Sequence, residues 1–453
     1  MTDTYDLVVL GGGAAGLAAA RAARWEDKTA ALISDAPLGG DCTFTGCVPS
    51  KSLIEASRQG ETFEAALDRV QSVVATVAAT ENAEVMREDG VDVIEARGTF
   101  TGPKTIEVDG RVVHGEAIMI ATGSRPAVPP IAGLADTPFL TNEAFFDKRP
   151  QPESLIVVGA GPIGCELGEA MARFGTKVTI VEFAPRILSV YEPDAAALVE
   201  ANMTKLGIDL RLNTGAKSVA YRDGRFTVDL GGDTVSAQEL LIATGRTPNT
   251  DGFGLDTTGV KLNKRGFIEV DDYLKTTVDG VYAAGDCNGV QLLSHAADEM
   301  GRTATWTALR PGRKYKYDPN RIPHAVFTTP EIAAIGILEA DAPRNARVAE
   351  LPMTSNDRAL AADHSEGFVR MIARKSRVTG HKAGGKVIGA TIVGGRAGEM
   401  INEVALTMRG SGYPVRLAQT VRAYPSWSTI MQKTAALWYF DYEGHSARPP
   451  RRS

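Results

Sequence analysis

The sequence lacks the features that mark several large classes of protein. It has only 4 cysteines among 453 residues and a formal net charge of −6. So few cysteines exclude a disulfide-stabilised scaffold, and a chain without a basic surplus is not expected to bind nucleic acid. Its apolar runs fall short of the roughly 20 residues that a membrane-spanning helix needs. The first residues also lack the basic and apolar regions of a signal peptide, so we expect a cytoplasmic protein.

A repeated pattern is the clearest feature that is present. Apolar residues run into a glycine-rich turn at Leu7–Gly16 and again at Leu155–Gly164. Each turn is followed by an alanine-rich amphipathic segment and then by a second apolar strand, at Thr29–Ile33 and at Lys177–Val181. Strand, turn, helix and strand in this order predict a βαβ unit twice over.

A second repeat supports the first. Ile120-Ala-Thr-Gly-Ser-Arg-Pro126 follows the first βαβ unit, and Ile242-Ala-Thr-Gly-Arg-Thr-Pro248 follows the second. The two copies imply two dinucleotide-binding domains of similar build. A chain of this length is in any case too long for one hydrophobic core. From about Ile322 onward the alternation becomes β-type, which predicts a third domain.

Two other segments give weaker predictions. Apolar residues between Gly60 and Gly90 recur at helical spacing and predict one long helix. The segment Ala447–Ser453 is basic and rich in proline, so we expect a frayed terminus.

The glycines of the two turns have the spacing that a phosphate-binding turn requires. The first glycine permits the turn, the second lets the backbone approach a pyrophosphate, and the third lets the helix pack on the strand. The start of the helix then offers N–H groups and a positive dipole end to the phosphates. The two sets are Gly11, Gly13 and Gly16, and Gly159, Gly161 and Gly164.

The acid that should bind the ribose hydroxyls differs between the two copies. In the second copy it is Glu182, which repels a 2′-phosphate, so we expect NADH to be preferred over NADPH. Arg186 lies nearby and weakens that preference. In the first copy Ser34 holds the equivalent position and Asp35 follows it, so either residue is a candidate for the ribose.

A close cysteine pair carries the chemistry. Cys42 and Cys47 lie five residues apart where a helix is expected to begin, with Lys51 one turn further on. A helix N-terminus and a nearby lysine both stabilise a thiolate, which disulfide exchange requires. A zinc half-site and two inert cysteines are the alternatives. Zinc would need a second ligand pair, whereas Cys165 and Cys287 are isolated.

These motifs resemble the class of pyridine nucleotide–disulfide oxidoreductases that holds dihydrolipoamide dehydrogenase, glutathione reductase and mercuric reductase. The specific match is Gly39–Lys51, which contains the cysteine pair. Tyr282–Asp286 resembles the second FAD motif, Leu293–Glu299 the helix beneath the flavin, and Pro323–Glu331 the opening of the dimerisation domain. The resemblance covers nearly the whole chain in the expected order, and is strongest to a mercuric-reductase-like branch.

The resemblance implies a role for each residue of the pair. Cys42 would be the interchange thiol that meets the substrate, and Cys47 the charge-transfer thiol that faces the flavin. Lys51 would pair with Glu166 beside the flavin.

FAD and NADH are the implied cofactors, and a homodimer the implied assembly. The cofactor-binding candidates are Gly11, Gly13, Ala14, Ala15, Gly16, Ser34, Asp35, Gly40, Lys51, Ala121, Thr122, Gly123, Gly159, Gly161, Ile163, Gly164, Glu182, Gly245, Arg246, Gly285, Asp286, Leu293, His295 and Ala296.

The implied fold is α/β, with two Rossmann-like dinucleotide-binding domains, for FAD and NAD, and a C-terminal α+β dimerisation domain. Residues 1–150 and 271–320 would form the FAD-binding domain in two parts. Residues 151–270 would bind the nicotinamide nucleotide, and residues 321–453 would form the dimerisation domain.

The match breaks where disulfide reductases of this class carry a His-Pro motif followed by a Glu. Tyr424 stands where the His should be and Thr429 where the Glu should be. Thiol chemistry near neutral pH needs a base whose pKa is near 7, and tyrosine titrates near 10. Tyr424 is therefore either an active-site residue near Cys42 or a packed interface residue.

The electron acceptor stays open at this point. Mercuric reductases carry a C-terminal cysteine pair, but Cys287 is the last cysteine here. A small disulfide, a soft metal ion and a quinone-like compound are the candidates, and the last two need no His–Glu dyad. We expect no resident metal ion. A flavin-bearing redox sensor or binding module with little turnover is the alternative to an enzyme.

Overall fold

A computed structural model describes residues 2–375, 380, 384–410 and 412–451. Its strands are β1 Thr2–Leu10, β2 Ala30–Ile33, β3 Asp92–Ile94, β4 Thr99–Gly102, β5 Thr105–Val108, β6 Arg111–Ile120, β7 Ser124–Pro126, β8 Ser154–Val158, β9 Lys177–Val181, β10 Asp209–Arg211, β11 Ser218–Arg222, β12 Arg225–Asp229, β13 Thr234–Ala237, β14 Glu239–Ile242, β15 Arg246–Pro248, β16 Val281–Ala283, β17 His324–Val326, β18 Glu331–Gly336, β19 Ala346–Pro352, β20 Phe368–Arg374 and β21 Lys386–Gly394. Its helices are α1 Ala14–Trp25, α2 Gly40–Phe44, α3 Cys47–Gln59, α4 Phe63–Ala78, α5 Ala83–Glu88, α6 Asn142–Phe145, α7 Pro162–Arg173, α8 Pro193–Lys205, α9 Ser294–Leu309, α10 Asp357–Ala361, α11 Ala397–Arg409, α12 Val415–Gln419 and α13 Thr429–Ala436.

The chain divides into two compact units. The first consists of Met1–Pro130, Phe139–Gln151 and Leu241–Pro319, and the second of Ile131–Pro138, Pro152–Leu240 and Asn320–Ser453.

A mainly parallel sheet forms the centre of the first unit. Its order is β3-β2-β1-β6-β5-β4, with β16 beside the end of β6. The pairs β3–β2, β2–β1, β1–β6 and β6–β16 are parallel. Strand β5 pairs antiparallel with β4 on one side and with the start of β6 on the other. Leu7 to Leu10 of β1 are fully or almost fully buried, as expected for a central strand covered on both faces.

The second unit repeats this plan on a smaller scale and adds an antiparallel layer. Its parallel strands β8, β9 and β10 lie side by side. The strands β17-β18-β21-β20-β19 form an antiparallel sheet, and α11 and α13 cover the sheet with a shared apolar core. Two βαβ units and an α+β layer are the fold class that the sequence predicts, and that prediction is confirmed.

A long helix forms between Gly60 and Gly90 as predicted, but it ends at Ala78. The residues form α4 and α5, with a break at residues 79–82. The Asn82 side chain accepts a hydrogen bond from the Val85 N–H at 2.9 Å, which caps the start of α5. An asparagine cap satisfies a backbone donor that would otherwise have no partner and so starts a new helix there.

The basic tail is held in place, so the expectation of a frayed terminus is wrong for residues 447–451, while 452–453 lie outside the described residues. The backbone of Arg448 bridges to Val348 of β19. Its guanidinium binds Glu339 and also Glu350, the latter at 2.8 Å. Arg451 donates its N–H to Glu339 at 2.6 Å.

These carboxylates surround a buried arginine of β20. The guanidinium of Arg370, only 3% exposed, lies 2.5 Å from Asp194 and 2.8 Å from Glu350. Glu339 lies 3.1 Å away and Glu192 3.7 Å away. Burial of a charge is costly without such partners, so the tail and β20 together neutralise one acidic cluster.

Candidate active site

The first glycine turn has the geometry that phosphate binding requires. Gly11 has φ +112°, and a methyl group there would lie 2.2 Å from the Ala121 carbonyl oxygen. A methyl group on Gly16 would lie 1.9 Å from the Gly11 carbonyl oxygen, so this glycine allows α1 to pack on β1. A methyl group on Gly13 would meet no atom within 4 Å. Open space remains beside the start of α1, where a phosphate would lie.

The second turn reproduces these three features. Gly159 has φ +107°, and a methyl group on Gly164 would again lie 1.9 Å from the carbonyl oxygen of the turn's first glycine. Around Gly161 the space is open within 4 Å, as it is around Gly13. Pro162 begins α7, a position that proline favours because its missing N–H is not needed there. Ile163 is half-buried on the same first turn.

A cavity of about 480 Å³ opens at the first turn. Its lining brings together thirteen of the predicted cofactor residues: Gly11, Gly13, Ala14, Ala15, Ser34, Asp35, Gly40, Ala121, Thr122, Gly123, Arg246, Gly285 and Asp286. The volume is in the range of small-molecule sites. A glycine cradle, a helix start and the Asp286 carboxylate in the lining fit the FAD that the sequence resemblance implies.

Ser34 and Asp35 both reach this cavity, and each already has a partner. The Ser34 hydroxyl donates to the Ala36 carbonyl oxygen at 2.9 Å. The Asp35 carboxylate lies 2.8 Å from the Arg97 guanidinium, which stacks 4.4 Å over the Phe253 ring. Arg97 and Phe253 also line the cavity, and sequence reasoning missed both.

A chain of hydrogen bonds crosses the cavity wall. The Ser124 hydroxyl donates to Asp286 at 2.6 Å and accepts from Nε of Arg246 at 2.9 Å. Arg246 also pairs with Asp41, which immediately precedes Cys42. Burial raises the pKa of Asp286, while Ser124 and Arg246 oppose that rise. Asp286, the acid of the second FAD motif, is thereby linked to the segment Gly39–Lys51, the cysteine loop.

Ser124 and Asp41 were not predicted, although both lie inside motifs that the sequence displays. Ser124 follows the first Ala-Thr-Gly repeat, and Asp41 lies within Gly39–Lys51. Gly245, a predicted cofactor-binding residue that precedes Arg246, is exposed and has a φ of +131°.

The cysteine pair lies where one short helix gives way to a longer one. Cys42 is on α2 and Cys47 is the first residue of α3. A methyl group on the intervening Gly46 would lie 2.8 Å from the Asp41 carbonyl oxygen, so a glycine is needed for the close approach of the two helices. Cys42 is half-buried and lines the cavity, while Cys47 is exposed.

The two thiols interact directly. The pKa of Cys42 is raised, first by its hydrogen bond with Cys47, then by burial and by the negative charge of Cys47. Cys47 and burial therefore make the Cys42 thiol harder to ionise, and the stabilised thiolate at the pair stays a prediction. Sγ of Cys47 lies 3.3 Å from the hydroxyl of Ser294.

The other two cysteines are packed in the interior. The Cys165 thiol donates to the Ala160 carbonyl oxygen, and burial raises its pKa well above the usual value. Burial likewise raises the pKa of Cys287 to about 12. Neither thiol has the character of a nucleophile.

Three predicted residues of the flavin helix do not face the cavity. Leu293 precedes α9 as its N-cap, His295 is exposed, and Ala296 is buried. The cavity wall is formed by Ser294 and Ala297 instead. Residues three apart lie on one face of a helix, which explains why this pair shares the wall.

Lys51 and Glu166 lie on different helices, Lys51 half-buried on α3 and Glu166 buried on α7. Glu166 accepts a hydrogen bond from the Phe327 N–H at 2.9 Å. One turn along α7, Glu169 accepts from the Thr329 N–H, also at 2.9 Å. Glu166 thus helps to hold the Pro323–Glu331 segment, and its pairing with Lys51 stays a prediction.

Glu182 follows β9, where a ribose acid is expected. Its two carboxylate oxygens accept from the N–H groups of Ala160, at 2.6 Å, and Ala184, at 2.8 Å. Arg186 donates to carbonyl oxygens of its own loop, at Tyr191 (2.9 Å) and Ser189 (2.6 Å). The Arg186 guanidinium, which weakens the predicted preference for NADH, is thus bound to its own loop.

Tyr424 lies on the surface of the chain. It is 73% exposed, and its hydroxyl donates to Asp357 at 2.9 Å. The hydrogen bond and the charge of Asp357 raise the pKa of Tyr424. Lys433 lies 3.7 Å from the other Asp357 oxygen. Thr429 begins α13, and its hydroxyl lies 3.1 Å from that of Ser426.

The described part of the chain shows no group of three or more His, Cys, Asp or Glu side chains arranged to hold a metal ion. Within the same residues, we find no helix with the length and apolar character that crossing a membrane requires.

Comparison with known proteins agrees with this geometry. Residues 5–301 match the model of the pyridine nucleotide-disulphide oxidoreductase family, and residues 322–435 match that family's dimerisation domain. The chain is similar to the dihydrolipoyl dehydrogenase of Geobacillus stearothermophilus (33% identical, covering 96% of each chain) and the mercuric reductase of Staphylococcus aureus (30% identical, 89% of this chain and 77% of the relative). Its structure is similar to that of the HOCl-induced flavoprotein disulfide reductase RclA of Escherichia coli, solved as a Cu(II) complex (27% identical, TM-score 0.86, 94% of this chain and 98% of the other). The chain therefore belongs to the pyridine nucleotide-disulphide oxidoreductase family.

Proposed function

We propose that this chain is an NADH-dependent flavoenzyme that reduces a thiolate-binding metal ion, with copper(II) as its best acceptor. The observation that carries the acceptor assignment is Tyr424, which takes the place of the His base of disulfide reductases and presents a phenol bound to Asp357. Its raised pKa makes this phenol a poor base near neutral pH. A metal ion needs electrons and no positioned proton.

Family members bind FAD and a nicotinamide nucleotide, and the proposal assigns one to each glycine turn. Residues 1–150 and 271–320 would hold FAD, residues 151–270 NADH, and residues 321–453 would join two copies into a homodimer. The FAD phosphates would lie at Gly13 and the start of α1, and Asp286 would line the same cavity. FAD bound there would supply the chemistry that takes a hydride from the reduced nicotinamide and gives an electron pair to the cysteine pair.

Electrons would pass from the Cys42–Cys47 pair to the acceptor. Two electrons and one proton break the disulfide and leave a thiol on Cys42 and a thiolate on Cys47, as the raised pKa of Cys42 favours. Two copper(II) ions then take one electron each, the disulfide reforms, and the remaining thiol proton is released. Thiolate ligands favour copper(I), which helps this step.

Two of the similar proteins support a metal acceptor. One is a mercuric reductase, and RclA was solved with Cu(II). The sequence has no cysteine after Cys287, so the C-terminal pair expected of a mercuric reductase is not present in it. A hydrated ion or a small copper complex could approach the Cys42–Cys47 pair without a second cysteine pair to deliver it.

The direct test is formation of copper(I). Purified enzyme loaded with FAD is mixed with NADH and copper(II) under nitrogen, and a copper(I)-specific chelator reports the product. We expect two copper(I) ions for each NADH oxidised. Rapid reduction of the flavin without turnover of copper, mercury, disulfide or quinone would instead identify a redox sensor.

We expect NADH to exceed NADPH in kcat/KM by about tenfold or more, which is about 1.4 kcal/mol in the transition state. The reason is that Glu182 repels a 2′-phosphate while Arg186 is bound to its own loop. Stopped-flow reduction with each nucleotide measures the ratio, and Glu182→Gln should shrink it. The matched control is Arg186→Ala. Loss of NADPH reduction alone in that variant would show that Arg186 binds the phosphate and would contradict the assignment.

Substitutions at the glycine turns should separate the two nucleotide sites. Gly13→Ala adds a methyl group where the structure leaves open space, and its φ of −80° suits alanine. We expect FAD affinity to fall at least tenfold, or about 1.4 kcal/mol, because the methyl group occupies the phosphate cradle. Gly161→Ala should keep FAD and raise KM for NADH. Flavin content by absorbance and KM by kinetics distinguish the two outcomes, and the reverse pattern would refute the assignment.

A further inference from the structure

The hydroxyl of Ser294 lies at the cysteine pair. Its oxygen is 3.3 Å from Sγ of Cys47, and a second side-chain interaction reaches Cys42, where it lowers the pKa of that thiol. Ser294 also lines the cavity assigned to FAD. The hydroxyl thus contacts Cys47 from the side of the proposed flavin site and lowers the pKa of Cys42.

The position of Ser294 is fixed by helix packing. It is the first residue of α9, after an extended Leu293. One turn on, Ala297 lies on the same cavity wall. Further along, α9 approaches α1 so closely that a methyl group on Gly301 would lie 2.3 Å from the Ala15 carbonyl oxygen. Helix packing therefore holds the backbone of Ser294 beside the cysteine pair, and the hydroxyl reaches Cys47 in the rotamer that the structure shows.

A hydroxyl has one proton to donate, so it can stabilise negative charge on only one of the two sulfurs at a time. We propose that Ser294 donates its hydrogen bond to the Cys47 thiolate in the reduced enzyme, and so selects Cys47 as the sulfur that carries the charge. Cys42 then keeps the proton that arrives with the electron pair and donates it toward Cys47. This inference rests on the proposed passage of electrons through the pair, and it holds for any acceptor.

The raised pKa of Cys42 supports this assignment. Its hydrogen bond with Cys47 is the largest cause of the rise and exceeds the opposing effect of Ser294. Ser294 lies 3.3 Å from Cys47, where it can donate to a thiolate, and a hydrogen bond to the charged form of a thiol lowers the pKa of that thiol. Ser294 is in this sense a catalytic residue that contacts a reacting sulfur.

The test is the ionisation of Cys47 in the Ser294→Ala holoenzyme. After two-electron reduction under nitrogen, iodoacetamide labels the thiolates at a series of pH values, and mass spectrometry quantifies each cysteine. We expect the midpoint for Cys47 to rise by about one pH unit, and its labelling below both midpoints to slow roughly tenfold. The long-wavelength absorbance of thiolate against flavin should fall at pH 7. Ser294→Thr keeps the hydroxyl and should preserve both signals, as should Ser72→Ala on an exposed face of α4.

An unchanged midpoint and absorbance in Ser294→Ala would overturn the proposal. Equal shifts in Ser294→Ala and Ser294→Thr would also overturn it, because the hydroxyl would then not be the cause. If the alanine variant does not hold FAD, the threonine variant still decides, since a shifted Cys47 midpoint there contradicts the proposal. The readout involves no acceptor, so failure of copper reduction would leave this result intact.

Discussion

Replacing Cys42 with serine should lower turnover with copper(II) or a disulfide at least about a thousandfold, or about 4 kcal/mol in the transition state. Reduction of the flavin by NADH should keep its rate. A serine hydroxyl cannot form the disulfide that receives the electron pair, nor can it act as the thiol that meets the acceptor. Stopped-flow spectroscopy measures the first half-reaction, and steady-state NADH oxidation measures the whole cycle.

Cys47→Ser is the matched variant. It should lose turnover to the same extent and should also lose the long-wavelength band that the thiolate gives against the flavin. The cavity reaches Cys42 while Cys47 is exposed and contacts Ser294, so this variant also tests which sulfur faces the flavin. Retention of the band in Cys47→Ser would reverse the roles of the two cysteines. Substantial copper reduction by Cys42→Ser would mean that electrons leave from the flavin directly, as they could with a quinone.

The wild-type enzyme should reduce copper(II) with a kcat/KM at least a hundredfold above that for glutathione disulfide or lipoamide, about 2.7 kcal/mol. Exchange between thiols and disulfides near neutral pH needs a base that titrates there. Tyr424 does not supply one, because the hydrogen bond to Asp357 holds the pKa of the phenol above its usual value. The phenol keeps its proton below pH 9, so the pH profile with copper should show no ionisation of Tyr424 between pH 6 and 9.

Variants at this position separate a chemical role from packing. Tyr424→Phe keeps the ring and should slow only the acceptor half-reaction, and Asp357→Asn should have a similar but smaller effect. Combining Tyr424→His with Thr429→Glu rebuilds the dyad of disulfide reductases and should raise lipoamide turnover. If the wild-type enzyme already turns over lipoamide at hundreds per second, within the range of good enzymes, the argument from the missing dyad fails. A silent Tyr424→Phe with every acceptor would make Tyr424 an interface residue only.

The glycine turns could be predicted because the constraint acts on single residues. Gly11 needs a positive φ, and Gly16 needs to have no side chain at all, so each requirement is visible in one letter of the sequence. The same holds for Gly159 and Gly164 in the second copy. The local order of strand, turn and helix then follows without knowledge of tertiary contacts.

The wall of the site could not be predicted in the same way, because its partners are distant in sequence. Arg246 reaches Asp41 across 205 positions, and Ser124 reaches Asp286 across 162. On α9 the motif predicts Leu293, His295 and Ala296, whereas Ser294 and Ala297 line the cavity. His295 attracts notice by its chemistry, whereas Ser294 faces the cavity. Which residues of a helix face a ligand depends on how the helix is rotated against its neighbours, and a short motif does not contain that rotation.

Arg448 and Arg451 lie in the C-terminal tail, so proteolytic removal of the tail would take two arginines away from the acidic cluster around Arg370. A protease that cut after Gly444 would leave Glu192, Asp194, Glu339 and Glu350 with Arg370 as their arginine partner, without Arg448 or Arg451. Carboxylates deprived of counter-charge in the interior destabilise the fold unless they take up protons. A clipped enzyme would therefore have a lower free energy of unfolding at neutral pH and would regain part of it on acidification. The cut would leave the cysteine loop itself intact.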